Sequence, residues 1–157
     1  AVVSDHNTIN RVTVDLHRLA NSAGLPLPSH ATRDSVGADL MAAIDKPILL
    51  EPGDRVLVPT GIALGVPRGF EAQVRPRSGL AFKHGITALN SPGTIDPDYR
   101  GEISVILINH GPEPFRIERG MRIAQLVVAP VVHAVWNELE VLEQTERGTK
   151  GFGSTGA

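Results

Sequence analysis

An all-β barrel or sandwich is the fold class this sequence predicts, and three observations carry it. Apolar residues alternate with polar ones in short stretches, the period of a half-buried strand. Turn residues close those stretches at short intervals, and 16 Gly and 12 Pro among 157 residues suit a chain with many turns. Only one segment carries a helix signature. Many short strands spaced by turns pack as two facing sheets or as a sheet closed on itself.

The elements follow in order. Val12, Val14 and Leu16 alternate with Thr13, Asp15 and His17, which predicts a half-buried strand. Val36 to Ala42 reads as a strand with one carboxylate, Asp39, among apolar neighbours. Ile48-Leu49-Leu50 runs into the turn Glu51-Pro52-Gly53-Asp54. Arg55 to Val58 resumes the strand, and Pro59-Thr60-Gly61 is expected to break it. Ile62, Leu64 and Val66 alternate up to Pro67-Arg68-Gly69, and Phe70, Ala72 and Val74 alternate after it. Ser78 is placed to N-cap a short helix from Gly79 to about His84, with Gly85 stopping it. Further strands are expected at Ile103 to Ile108, at Phe115 and Ile117, at Ile123 to Val128 and over Val131 to Val141. Residues 147–157 are Gly-rich and polar and read as a flexible arm. Residues 11–146 read as one β domain and residues 1–10 as an N-terminal extension.

Composition excludes several function classes. A net charge of −2 with acids and bases interspersed leaves no broad nucleic-acid surface and no polybasic membrane patch. No apolar run approaches the roughly 20 residues that span a bilayer. The polar start lacks a signal peptide's basic and apolar regions, and a cytoplasmic location is the expectation. With no Cys, disulfides, thiolate nucleophiles and Cys-ligated zinc are excluded. Histidines at positions 6, 17, 30, 84, 110 and 133 show no paired metal-ligand spacing. A Gly-x-Ser-x-Gly elbow is absent as well.

Five segments hold residues suited to chemistry. Gly93-Thr94-Ile95-Asp96-Pro97-Asp98-Tyr99-Arg100-Gly101-Glu102 places carboxylates, a phenol and a guanidinium at a turn beside an apolar strand; it is either a reactive cluster or a polar turn. Pro76-Arg77-Ser78-Gly79-Leu80-Ala81 combines a helix start, a hydroxyl and a fixed positive charge, which suits an anion and equally suits a plain cap. Asp39 within an apolar strand is costly unless paired or reaching a cation or water. Arg122 and Gln125 stand among apolar neighbours in Gly120 to Val127, each compatible with an outward strand position. The arm, Arg147 to Gly156, has phosphate-suited residue types, but the Lys of a P-loop is missing after Gly153. Phe152 is an aromatic with no core to join, which suits stacking on a base.

Together and in this order, these segments resemble the trimeric dUTP pyrophosphatase (dUTPase) family. The resemblance runs from about Leu25 to the C-terminus, with family motifs matched by Gly37 to Leu40, Pro76 to Ala81, Gly93 to Gly101, Arg119 to Leu126 and Arg147 to Gly156. It implies a jelly-roll β fold of the β-clip type and a homotrimer with shared active sites. It also implies Mg²⁺-assisted hydrolysis of dUTP to dUMP and pyrophosphate, keeping uracil out of DNA and supplying dUMP for thymidylate synthesis. By this resemblance Asp96 orients and deprotonates the attacking water, while Arg77, Ser78, Gly79 and Gln125 bind the phosphate chain. Asp39 acts through water on the metal side, with Mg²⁺ held mainly by the triphosphate. Tyr99 packs on the deoxyribose. A hairpin from about Gly85 to Tyr99 reads the uracil, with Asn90, Gly93, Thr94 and Ile95 among the substrate-binding residues. Phe152 stacks on the base while Arg147, Gly153, Ser154 and Thr155 close over the phosphates. A dCTP deaminase, or a bifunctional dCTP deaminase/dUTPase, resembles the same fold and is the alternative; a noncatalytic nucleotide-binding relative is a third reading.

Overall fold

The computed structural model describes residues 11–151. Two four-stranded sheets and a two-stranded ribbon make up the fold, every pairing antiparallel. The first sheet orders its strands β1 (Asp15–Arg18), β4 (Arg55–Gly65), β8 (Glu102–Asn109) and β6 (Ile86–Ala88). The second orders β2 (Ala38–Met41), β10 (Arg122–Pro130), β5 (Phe70–Arg75) and β7 (Gly93–Ile95). β3 (Ile48–Leu50) and β9 (Phe115–Ile117) form the ribbon. Neither sheet closes on itself, so the expected barrel or sandwich is a jelly-roll-like sandwich. The only α-helix among the described residues is α1 (Ser78–His84), and a 3₁₀ turn covers Ala20–Ser22. No helix there is long and apolar enough to cross a membrane.

Alternation sets the core. Along β8, Ile103, Val105 and Leu107 are fully buried while Ser104, Ile106 and Ile108 are only partly so. They pack in one cluster with Leu40 of β2, Val74 of β5 and Ile123 and Leu126 of β10, so the two sheets share one core. Each such side chain contributes on the order of 1.5–3 kcal/mol of burial. Asn109 ends β8 fully buried, and every polar group of its amide is satisfied. Its Nδ2 donates to the carbonyls of Leu50 (3.0 Å) and Glu113 (2.8 Å), and its Oδ1 accepts from Gly111 N (2.8 Å). The neighbouring His110 N donates to Gly85 O at 2.8 Å, which ties the end of α1 to this core.

Five expectations need correction. Pro59-Thr60-Gly61 does not break the strand: β4 is continuous, with a register shift against β8 between Pro59 and Ala63. Gly61, at φ +72°, takes the left-handed conformation of the irregularity, and a Cβ there would sit 2.9 Å from Ser22 backbone. Glu102 stabilises the same spot: its Oε1 accepts from Gly61 N (2.8 Å) and Asn21 Nδ2 (2.7 Å). Secondly, β1 is a strand but not a half-buried one, since all four of its residues are exposed. Thirdly, Val131 to Val141 forms no strand; Val132, Val135 and Trp136 are at least 90% exposed, with no strand among the described residues beside them. Fourthly, Gly85 to Tyr99 is no paired hairpin, because β6 belongs to the first sheet and β7 to the second. The helix boundary also moves by one residue: Arg77 is the N-cap, and Ser78 is the first helical residue. Gly85 ends α1 in the left-handed region at φ 68°, as expected.

Candidate active site

Most of the described residues singled out by sequence gather in two separate clefts. The first, about 360 Å³, lies where β2, β10 and the turn after β5 meet, lined by Gly37, Asp39, Arg77, Ser78, Gly79, Arg122 and Gln125. Register explains the meeting. On β10, Gln125 stands opposite Asp39 of β2 on one side and Arg75 of β5 on the other. Gln125 then threads a narrow gap, its Nε2 donating to Pro76 O at 3.0 Å. A Cβ at Gly37 would overlap Gln125 Oε1 and lie 2.9 Å from Cδ, so glycine is what lets that side chain pass.

Asp39 is paired, as a carboxylate in an apolar strand must be. Its Oδ1 accepts Arg77 Nε at 3.1 Å and its Oδ2 faces Arg122 Nη1 at 3.4 Å. Arg77 Nη1 in turn donates to the backbone carbonyl of Arg122 at 3.1 Å. Ser78 and Gly79 start α1 in the open. The first-turn N–H groups have no helical acceptor. A Cβ at Gly79 would meet nothing within 4 Å, so this chain's own packing does not require glycine there.

The second cleft, about 300 Å³, opens between β7, the following turn and β8. Thr94, Ile95, Asp96, Tyr99 and Glu102 line it together with Leu57, Ile103 and Ile106. Asp96 is exposed, and its carboxylate has no hydrogen bond or ion pair among the described residues. The turn is closed by Tyr99 N donating to Asp96 O at 3.2 Å. Arg100 folds back onto it, its Nη1 donating to Pro97 O (2.7 Å) and Tyr99 O (3.0 Å). Tyr99 lies over Gly101 and its hydroxyl donates to Glu102 O at 3.0 Å. A Cβ at Gly101 would overlap that hydroxyl and lie 2.6 Å from Cζ. Asn90 sits on the loop before β7, against Gly93.

The two clefts stand apart. β7 pairs with β5 so that Ile95 faces Ala72, which sets Asp96 beside the start of β5, whereas Arg77 follows its end. The strand between them alone spans about 13 Å at roughly 3.3 Å per residue. Arg147 joins neither cleft; its Nε donates to Lys150 O at 3.0 Å within its own short turn. Phe152, Gly153, Ser154 and Thr155, like the extension 1–10, lie outside the described residues. No group of three or more His, Cys, Asp or Glu suited to a metal ion exists among the described residues.

Sequence reasoning singled out Arg122 beside Gln125 but gave it no role. Strict alternation puts Arg122 and Gln125, three positions apart, on opposite faces of a strand. Between Arg122 and Ala124 the register against β2 shifts by one, and both Ile123 and Ala124 turn into the core. That bulge rotates Arg122 into the cleft beside Gln125. A strand with two successive buried apolar residues was the available signal.

Comparison with known proteins adds an independent line. A family model described as dUTPase matches residues 23–156. A deoxyuridine 5'-triphosphate nucleotidohydrolase of Rhizobium etli (strain CIAT 652) is 60% identical over 148 residues, covering 93% of this chain and 95% of the relative. Among solved structures, a mutant dUTPase of Staphylococcus bacteriophage 80alpha with dUpNHpp matches with a TM-score of 0.80 at 25% identity, over 92% of this chain and 99% of the other. A mutant dUTPase from phage phi11 of S. aureus, described for its coordination of a structural Mg(II) ion, matches with a TM-score of 0.73 at 21% identity. That match covers 85% of this chain and 100% of the other, and at such identity it speaks for the fold alone.

Proposed function

The chain belongs to the dUTPase family and is a dUTP diphosphatase, and on that premise we propose how its two clefts share the reaction. Water attacks the α-phosphorus of dUTP, pyrophosphate leaves and dUMP remains. The phosphate chain lies in the first cleft, on Arg77, the α1 start at Ser78 and Gly79, and Gln125. The uridine end lies against the second, on Asn90, Gly93, Thr94 and Ile95, with Tyr99 walling the sugar where a 2′-hydroxyl would stand. Asp96 holds the water and takes its proton, a task for an exposed carboxylate with no other partner among the described residues. Fixed positive charge and orphan N–H groups at the phosphates supply most of the stabilisation, since phosphoryl transfer depends on positioning and electrostatics.

A single observation carries this division. Asp96 and Arg77 stand at opposite ends of β5, about 13 Å apart along the strand alone. This separation supports a reading in which one chain brings the base to one site and the phosphate cradle to another. A closed symmetric oligomer, here a homotrimer, completes each site from neighbouring copies. Residues 147–157 form the arm of residues 11–146 that closes over a site, with Arg147, Gly153, Ser154 and Thr155 on the phosphates and Phe152 on the base.

The first cleft also fits Mg²⁺ as a guest of the substrate. It is open and polar, with one carboxylate and no protein cage, and Mg²⁺ readily keeps water and takes substrate phosphate oxygens. Asp39 would face it through water. When bound, the ion neutralises phosphate charge and fixes the chain's geometry. Hydrolysis of dUTP keeps uracil out of DNA and leaves dUMP for thymidylate synthesis.

Parallel assays of pyrophosphate release from dUTP, dCTP, dTTP and UTP, with ammonia monitored for dCTP, test the reading. Pyrophosphate from dUTP alone is the expected result. Ammonia from dCTP would replace the reaction with a deamination.

A further inference from the structure

The β4–β8 ladder is interrupted beside the Asp96 cleft, and a side chain bridges the gap. Pro59 pairs with Ser104 and Ala63 with Glu102, so Thr60, Gly61 and Ile62 stand opposite Ile103 alone. Gly61 is buried, and a buried backbone N–H needs a partner that such a bulge no longer supplies. A carboxylate takes that place. Gly61 N donates to Glu102 Oε1 at 2.8 Å, and Asn21 Nδ2 donates to the same oxygen at 2.7 Å. Gly61 O in turn accepts Leu19 N at 2.9 Å, and the buried Ser22 donates its Oγ–H to Leu19 O at 2.8 Å. The 3₁₀ turn Ala20–Ser22 is thus fastened to the bulge through both backbone groups of Gly61, one directly and one through Glu102.

Glu102 also carries the acceptor of Tyr99, whose hydroxyl donates to Glu102 O at 3.0 Å. Tyr99 is 44% exposed, so this bond and its close seat on Gly101 carry much of its placement. One residue therefore couples the phenol to a turn nearly eighty positions earlier, and Asn21 of that turn precedes all five family motifs. We propose that Asn21 and Glu102 are positioning residues for Tyr99. By clamping Glu102 onto the Gly61 bulge they fix the carbonyl on which the phenol rests, and so set how strictly the cleft excludes a 2′-hydroxyl. The proposal rests on the reading of Tyr99 as the wall on the deoxyribose. The clamp needs an acceptor oxygen and not a charge, and a Gln side chain would offer one to the same two donors.

Turnover of dUTP and of UTP by the full-length protein with Mg²⁺, read as the ratio of the two kcat/KM values, tests the clamp. Glu102→Ala is expected to shrink the ratio about tenfold, the scale of a small steric change in a pocket. Asn21→Ala leaves the Glu102–Gly61 bond in place and should shrink it about threefold, the low end for one hydrogen bond; it serves the same end should Glu102→Ala fail to fold. Glu102→Gln should keep the wild-type ratio. Adding Glu102→Ala to Tyr99→Phe, which already lacks the hydroxyl, should shrink the ratio no further. A general loss of structure lowers both activities together, so an unchanged ratio in Glu102→Ala, with activity kept or lost, would overturn the proposal. An unchanged ratio in Asn21→Ala would strike the 3₁₀ turn from it. Steep loss of dUTP turnover in Glu102→Gln would assign the carboxylate to the chemistry itself and overturn the positioning role. Wild-type discrimination in Tyr99→Ala would instead overturn the reading of Tyr99 as the sugar wall.

Discussion

At the end of β5 every charged side chain of the cleft is engaged with another: Asp39 with Arg77 and Arg122, and Arg77 with the backbone of Arg122. At the start of β5, Asp96 has no such partner among the described residues, and its cleft mixes Leu57, Ile95, Ile103 and Ile106 with Thr94, Tyr99, Glu102 and Ser104. On the proposed division of the reaction, the difference is one of task. An anion site gains from donors already locked in place, because nothing has to reorganise when the charge arrives. A base must keep its lone pairs for the proton it takes, so a structural ion pair would defeat it. The same chain builds both by putting paired residues at one strand end and an unpaired one at the other.

Substitutions break this comparison in order of expected effect. Asp96→Asn removes the free carboxylate and should cut turnover of dUTP by about 10²–10⁴-fold, the usual contribution of a general base. Binding of dUDP should be preserved, because the phosphate cradle lies elsewhere; equal losses in both would merge the two tasks. Gly101→Ala comes next. Its methyl group would displace Tyr99 from its seat and from Glu102 O. Discrimination between dUTP and UTP should shrink by about tenfold or more, the scale of a small steric change in a pocket; unchanged discrimination would take Tyr99 off the sugar. The smallest effect is expected from Gly37→Ala, which collides with the Gln125 amide. Loss of one phosphate contact of about 1 kcal/mol should raise KM several-fold with kcat nearly unchanged.

Much of the fold was legible because alternation reports the pleat directly. β5, β8, β9 and β10 stand where Phe70 to Val74, Ile103 to Ile108, Phe115 to Ile117 and Ile123 to Val128 placed them. An apolar segment does not report a partner, and that is why Val131 to Val141 was misread: it is rich in Val and Leu, yet no strand among the described residues lies beside it. Pro59 and Gly61 misled in the opposite sense. They are turn residues, but here a register shift absorbs both, with Glu102 bonding the Gly61 N–H. The site followed the same logic. Asp39, Arg77, Ser78, Gly79 and Gln125 could be chosen by residue type and motif order, and they do share one cleft. Arg122 was named with them, but that it shares their cleft was not legible, because a bulge reverses the face its position suggests. That Asp96 lies at the far end of β5 from Arg77 follows from the antiparallel register of β7 on β5, two strands about twenty residues apart in sequence, which no local pattern encodes.

Subunit mixing puts the division between clefts to its most direct test. Arg77→Ala and Asp96→Asn chains, each nearly inactive alone, are unfolded together in equal amounts and refolded as one population. Where each site draws its arginine and its aspartate from different copies, random assortment leaves about a quarter of the sites with both intact, and about a quarter of wild-type dUTP turnover should return. Turnover no higher than that of the separate variants would mean that one chain supplies both residues to one site, and the account would fail.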